Sequence, residues 1–173
     1  TGMASPQNIN KSATMGTARL ECTDSIIRGH GQVLHVQAGR PFAIHLQQTG
    51  IALEGTVCLL EGSRSDMSMP AESALLQLDR CTAYHTRGLL KLRTSLAMPQ
   101  LMPLRAIIHQ TVLGMGDSQP MVKVDLQQSE TDLKRKLFWQ GKRNLYLGAT
   151  SSLMSYQQLD RDTSATLYDA TLW

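Results

Sequence analysis

Long apolar runs are missing from this sequence. No stretch approaches the ~18 consecutive apolar residues that a membrane-spanning helix needs, so we expect a soluble protein with no membrane span. Aromatic residues are also scarce, at 5% of the 173 residues, with only two Phe against nine Met. The core is therefore expected to consist of Leu, Val, Ile and Met, and the chain is long enough for one domain of ordinary size.

A strong excess of charge of one sign is missing too. The chain has 17 Lys and Arg against 14 Asp and Glu, and a formal charge of +3 does not by itself indicate nucleic-acid binding. No P-loop, dinucleotide fingerprint, HExxH, EF-hand loop or GxSxG is present, and no pair of carboxylates is spaced for acid–base catalysis. These absences count modestly against an enzyme and predict no cofactor, although an enzyme of unrecognised type stays an alternative.

Cysteines are few and odd in number. Cys22, Cys58 and Cys81 allow at most one internal disulfide and leave one thiol over. Cys81 and His85 would be neighbours on a helix but about 13 Å apart on a strand, so they indicate a nucleophile only weakly, and a buried or disulfide-bonded Cys is the better interpretation. The start Thr1-Gly2-Met3 is consistent either with a removed leader or with two extra residues before a natural Met.

The clearest pattern is a predicted β-hairpin over residues 32–48. Aliphatic residues alternate with polar ones on both sides of a break at Gly39-Arg40-Pro41, which is the period of half-buried strands. If the chain reverses at this break, one register places every large aliphatic on one face. That register pairs Leu34 with Leu46 and Val36 with Ile44.

The same register places His35 opposite His45 on the more polar face. Imidazoles coordinate zinc or copper when three or four ligands converge, but two cross-strand His are not a site by themselves. No carboxylate is placed nearby by spacing, so an exposed pair is the favoured interpretation and His35 and His45 are only weak metal candidates.

The whole chain indicates a mainly β fold. About nine short strands and one or two short helices are separated by turn signals every 8–12 residues, and no internal repeat is visible. This pattern predicts an antiparallel β-sandwich or small barrel, jelly-roll-like. The best helix starts at Ser129-Glu130-Thr131-Asp132, which resembles a capping box, and Gly141 could end it.

Residues 1–19 are predicted to be a flexible N-terminal arm, since they are rich in Ser, Thr, Asn and Gly and have few aliphatics. Residues 20–173 then form a single β-rich domain. The arm is either a loose tail or a segment that orders on a neighbouring subunit. A strand-dense domain with a polar arm is analogous, at the level of fold only, to virion jelly rolls and surface-assembly sandwiches, which slightly favours a virion or extracytoplasmic location.

A basic-aromatic region is the predicted partner surface. Basic side chains attract phosphate or sulfate, and aromatic rings stack on bases or sugars. Together with the arm, this region predicts a non-enzymatic structural, assembly or binding protein with a protein partner or as a homo-oligomer. The alternative is a module that binds a polyanion, either nucleic acid or an anionic glycan. The residues are Lys134, Arg135, Lys136, Phe138, Trp139, Lys142, Arg143 and Tyr146.

Overall fold

A computed structural model describes residues 17–37, 40–64, 74–85, 87–116, 119–127, 129–147, 153–158 and 166–168. These ranges contain sixteen strands and one helix: β1 (Ala18–Thr23), β2 (Ile26–Gly29), β3 (Leu34–Val36), β4 (Phe42–Gln47), β5 (Gly50–Leu53), β6 (Cys58–Glu61), β7 (Ala74–Asp79), β8 (Thr82–His85), β9 (Leu90–Arg93), β10 (Leu104–His109), β11 (Val112–Met115), β12 (Val122–Leu126), α1 (Glu130–Lys136), β13 (Leu137–Lys142), β14 (Leu145–Leu147), β15 (Met154–Gln158) and β16 (Thr166–Tyr168).

The strands wind into a three-faced parallel β-solenoid. Every third strand returns to the same sheet, which gives sheet A (β1-β4-β7-β10-β13), sheet B (β2-β5-β8-β11-β14) and sheet C (β3-β6-β9-β12-β15-β16). Neighbours in these sheets run parallel, except that β16 pairs antiparallel with β15. Five successive coils of three strands each are therefore stacked along one axis, and β16 follows the last coil.

This architecture shows that the predicted antiparallel β-sandwich or barrel is wrong, and with it the jelly-roll analogy. The predicted hairpin does not form, because β3 lies in sheet C and β4 in sheet A. Leu34 has Cys58 as its cross-strand neighbour, whereas Ile44 lies between Leu20 and Leu76. The alternation itself is real, since Phe42, Ile44 and Leu46 are buried as that pattern requires. A period of two fixes the face that a side chain takes but not the partner strand or its direction.

Each coil is one structural repeat, although no internal repeat is visible in the sequence. In sheet A, the number of residues along the chain between cross-strand neighbours differs from coil to coil. Phe42 lies beside Ala18 of the first coil, and Ala43 lies beside Leu75 of the third. Leu75 in turn lies beside Arg105, which lies beside Phe138. Steps of unequal length hide the repeat from a search at fixed period.

The core consists of apolar ladders along the solenoid axis. In sheet A, Leu46, Leu78 and Ile108 occupy successive rungs, and each is at most 1% exposed. Burying one such side chain stabilises the fold by about 1.5–3 kcal/mol. Among the described residues, the first coil has a neighbouring coil on one side only, and its inward residues Leu20 and Cys22 are half-buried.

The turn from sheet A to sheet B is the same in all five coils. Each turn has two residues between the strands, and the first residue has a positive φ of 48–57°, a left-handed conformation that non-glycine residues adopt uncommonly. These first residues are Asp24, Gln48, Arg80, Gln110 and Arg143. The second residue of each turn has a side chain that can hydrogen-bond, and we call these five residues the corner ladder: Ser25, Thr49, Cys81, Thr111 and Asn144.

The corner ladder hydrogen-bonds the backbone from coil to coil. Thr111 Oγ1 donates to the carbonyl of His109 at 2.7 Å and accepts from the backbone N–H of Cys81 at 3.3 Å. One coil further, Asn144 Oδ1 accepts from the N–H of Thr111 at 3.1 Å, and Nδ2 donates to the carbonyl of Ile108 at 2.8 Å. Buried polar groups of the backbone are thereby satisfied where the strands turn.

The helix begins where the sequence predicts and ends earlier. Ser129 is the N-cap, and its Oγ accepts from the backbone N–H of Asp132 at 3.3 Å. The predicted end at Gly141 is wrong, because the chain leaves the helix after Lys136 and Leu137 begins β13. Leu137–Lys142 continues sheet A beside β10, and its aromatic pair Phe138-Trp139 suits a strand.

Of the predicted arm, residues 1–16 lie outside the described residues, and Ala18 and Arg19 are the first two residues of β1. The arm and the single β-rich domain therefore stay predictions. Among the described ranges, no helix has the length and apolar character to cross a membrane.

Candidate interaction surfaces

The outer face of sheet B is almost free of charge. Because Ile51, Ala83 and Leu113 are buried, the alternate positions of the same strands point outward. The register aligns these positions in two rows across the five coils, and Arg28 is the one charged residue in them. The rows are Ile26-Gly50-Thr82-Val112-Leu145 and Arg28-Ala52-Tyr84-Gly114-Leu147, and we call this surface the apolar face.

The apolar face carries most of the exposed large apolar side chains. The described residues include six of them, and four lie here, with exposed fractions of 81% for Ile26, 54% for Tyr84, 54% for Leu145 and 48% for Leu147. Small residues separate these side chains. The Tyr84 ring lies over Gly114, where an added Cβ would be 2.9 Å from Tyr84 Cδ2, so this part of the face is flat.

Sheet C has a charged outer face instead. Glu61, Arg93 and Asp125 occupy one row across three strands, so charges of opposite sign alternate. Lys91 Nζ lies 3.8 Å from Asp125 Oδ2, and His35 Nε2 lies 3.2 Å from Glu61 Oε2. The Lys91–Asp125 ion pair lies at a partly exposed surface and contributes little to stability, typically about 0–1 kcal/mol.

A basic cleft of about 820 Å³ lies along sheet C and its junction with sheet B. Five basic side chains line it, and none of its lining residues is acidic. Arg87, Arg93 and Lys123 have no ion-pair partner within the described part of the chain. The lining consists of His30, Gly31, Gln32, Gly55, Thr56, Leu59, Arg87, Lys91, Arg93, Gln119 and Lys123, which we call the basic cleft.

Glu54 lies at the margin of the basic cleft. Its Oε2 lies 2.7 Å from His30 Nδ1. This hydrogen bond, and to a smaller extent the attraction of the carboxylate charge, raises the pKa of His30 above its ordinary value. Sequence reasoning missed the basic cleft because its members come from different coils. Lys91 and Lys123 are cross-strand neighbours although they are far apart in sequence.

The structure divides the predicted basic-aromatic region between two clefts. Lys134, Arg135, Lys136 and Phe138 line a groove of about 430 Å³ beside Pro103–Leu104, and the Arg105 guanidinium lies 5.1 Å from the centre of the Phe138 ring. A second cleft, of about 280 Å³, lies at the last coil. Trp139, Lys142, Arg143 and Tyr146 line it, and Trp139 and Tyr146 also pack against the core. A partner role for these residues stays a prediction.

His35 and His45, the weak metal candidates, are not brought together. His35 lies in sheet C beside Leu59, whereas His45 lies in sheet A between Glu21 and Gln77. Within the ranges that the structure describes, no three His, Cys, Asp or Glu side chains are grouped for a metal ion.

All three cysteines are free thiols, which answers the open question of a disulfide. Burial raises the pKa of Cys58 to about 12 and also raises the pKa of Cys81. Cys81 Sγ donates to the carbonyl of Leu46 at 3.3 Å, so this thiol is part of the corner ladder. Both groups are protonated near neutral pH, whereas a nucleophilic Cys needs a thiolate.

No protein-family model, no curated protein and no solved structure matches this chain. Two surfaces stand out among the described residues: the apolar face of sheet B and the basic cleft.

Proposed function

We propose that this chain is a non-enzymatic assembly protein whose copies associate through the apolar face of sheet B. The observation that carries the proposal is the concentration of four of the six exposed large apolar side chains on this one face. Exposed apolar residues scattered singly are normal on a monomer, whereas several large ones gathered on one face are typical of an interaction site. Arg28 is the one charged side chain in its two rows, and they contain no His, Asp, Glu, Lys or Cys, so the face has little means for acid–base catalysis.

A second copy is the partner that this face fits best. Its large side chains stand at both ends and in the middle: Ile26 in the first coil, Tyr84 in the third and Leu145 with Leu147 in the fifth. A two-fold axis between the two copies and parallel to β8 would place Ile26 of one copy opposite Leu145 of the other and bring the two Tyr84 rings together. Such an isologous contact needs only one self-complementary patch.

The size of the face limits the strength of the contact. Five strands about 4.8 Å apart extend roughly 24 Å, and three to four residues along each strand add a width of about 12 Å. The resulting area of about 300 Å² per copy is well below the ~800 Å² per partner of a stable interface. We therefore expect a weak, reversible dimer whose population rises with concentration.

Sedimentation equilibrium over a range of concentrations tests the proposal with two matched variants. Leu145→Lys places a charge on the apolar face, and Leu96→Lys makes the same change at a more exposed leucine, 84% against 54%, in the segment between β9 and β10. Burying the exposed half of Leu145 contributes about 0.8–1.5 kcal/mol in each copy, and the substitution removes it from both copies, so the dimer should weaken at least tenfold. The Leu96→Lys variant should dimerise like the unmodified chain.

Two results would contradict the proposal. One is an unmodified chain that stays monomeric at every concentration, and the other is a Leu96→Lys variant that dissociates as much as Leu145→Lys. A chain that lacks residues 1–16 keeps β1 complete and tests the predicted arm separately. If that chain still dimerises, the arm is not needed for the contact.

A further inference from the structure

We propose that the basic cleft binds an anionic glycan, a sulfated or carboxylated polysaccharide. The cleft gathers five basic side chains around about 820 Å³, and no acidic side chain lines it. The chain as a whole carries only +3, so this is a local concentration of charge rather than a general one. The volume lies within the ~300–1,000 Å³ of ordinary ligand sites, which is enough for a short oligosaccharide segment.

Like charges occupy neighbouring rungs in this cleft. Lys91 and Lys123 are direct neighbours in register on β9 and β12, where adjacent strands lie about 4.8 Å apart. Like charges in this position destabilise a sheet, whereas the next row alternates in sign from Glu61 through Arg93 to Asp125. A bound anion would offset the repulsion between the two lysines, and Asp125 offsets it only in part, from 3.8 Å.

The remaining lining favours a glycan over a nucleic acid. No Phe, Tyr or Trp lines the cleft, so bases would have no aromatic ring on which to stack. Gln32 and Gln119 provide amide groups that can donate to and accept from sugar hydroxyls. A ligand with many hydroxyls and regularly spaced anionic groups matches both the polar and the charged part of this lining.

The test is titration calorimetry with a heparin oligosaccharide, a sulfated glycan, at NaCl concentrations from 50 to 200 mM. Arg87, Arg93 and Lys123 have no intramolecular ion pair among the described residues, so we count three effective cations. With a slope of about −0.7 per cation, as for single-stranded polyanions, the affinity should fall by about 20-fold over this range.

Two double variants remove the same charge at different places. Arg87→Gln with Lys123→Gln leaves one effective cation in the cleft, so the salt-dependent fall should shrink to about threefold and the affinity at 50 mM should drop more than tenfold. Arg135→Gln with Lys142→Gln removes two cations of the region that the sequence predicts, and it should bind heparin like the unmodified chain. Equal melting temperatures of the two variants establish that both are folded.

Three results would overturn the proposal. The first is that the unmodified chain does not bind heparin at 50 mM NaCl. The second is that the Arg135→Gln, Lys142→Gln variant loses as much affinity for heparin as the Arg87→Gln, Lys123→Gln variant. The third result is single-stranded DNA of equal charge that binds as tightly as heparin and loses affinity equally in the cleft variant, since the ligand class would then be wrong.

Discussion

Thr111 is the residue at which the corner ladder can be tested most directly. It is 1% exposed, and its hydroxyl both accepts from the N–H of Cys81 and donates to the carbonyl of His109. Thr111→Val keeps the shape of the side chain and removes both hydrogen bonds. The backbone N–H of Thr111 still donates to Asn144, so the effect is confined to the hydroxyl.

The two lost bonds have different costs. The carbonyl of His109 keeps a second partner, the N–H of Arg80 at 3.0 Å, so the loss there is an ordinary hydrogen bond of about 1 kcal/mol. The N–H of Cys81 would be left buried without its partner, which costs about 1–3 kcal/mol. We therefore expect Thr111→Val to lower the free energy of unfolding by about 3 kcal/mol, or the melting temperature by roughly 6–12 °C.

Chemical denaturation followed by circular dichroism measures this change. Thr82→Val is the matched control, because Thr82 lies on the exposed apolar face one residue beyond Cys81, and its free energy of unfolding should change by less than about 0.5 kcal/mol. If Thr111→Val is no more destabilising than Thr82→Val, the hydroxyl does not stabilise the coil-to-coil turn and the reasoning is refuted.

The remaining predictions concern close packing and the buried thiols. Gly55→Ala should lower the free energy of unfolding by about 2 kcal/mol or more, because the added Cβ would lie 2.2 Å from the backbone oxygen of Gly31. The control is Gly31→Ala, whose Cβ meets nothing within 4 Å and should change the free energy of unfolding by under about 0.5 kcal/mol. Equal effects of the two substitutions in chemical denaturation would contradict this prediction. At neutral pH a thiol reagent should label half-buried Cys22 in the folded protein but should label Cys58 and Cys81 only after unfolding. Mass spectrometry of the labelled peptides measures this, and labelling of Cys58 in the folded protein would refute its burial. The pKa of the Cys58 thiol is about 12 in the folded protein, against an ordinary value of 9.0, so the unfolded chain loses this proton at a lower pH than the folded one. The free energy of unfolding should therefore fall as the pH rises from 9 to 12. Urea titrations should show a smaller fall for a Cys58→Ala variant.

Local features of this fold were predictable from the sequence because they depend on near neighbours. The alternation of Phe42, Ile44 and Leu46 identified buried positions, and Ser129 identified the start of the helix. The topology was not predictable in this way. A strand that turns a corner into a new sheet and a strand that reverses in a hairpin have the same period of two, so the break at Gly39-Arg40-Pro41 fits either of them.

The two surfaces escaped prediction for a related reason. The corner ladder would have revealed the coils, but its members are Ser, Thr, Cys and Asn, residues that share hydrogen bonding rather than identity. Without the coils, Lys91 and Lys123 are two unrelated lysines, and Tyr84 is not a neighbour of Leu147. The sequence instead drew attention to the cations between Lys134 and Arg143, which are close along the chain and are divided between two clefts.

The constancy of the turn between sheets A and B determines where the chain can change in length. This turn always has two residues, whereas the connection from sheet C back to sheet A varies from five residues before Phe42 to twelve before Ala74 and ten before Leu104. An added residue in the two-residue turn would move a side chain out of the corner ladder, but the connection before sheet A lengthens without shifting the register of any strand pair. Insertions, deletions and grafted peptides are therefore compatible with the connections that lead into sheet A. The two-residue turns between sheets A and B keep the strands of successive coils in register.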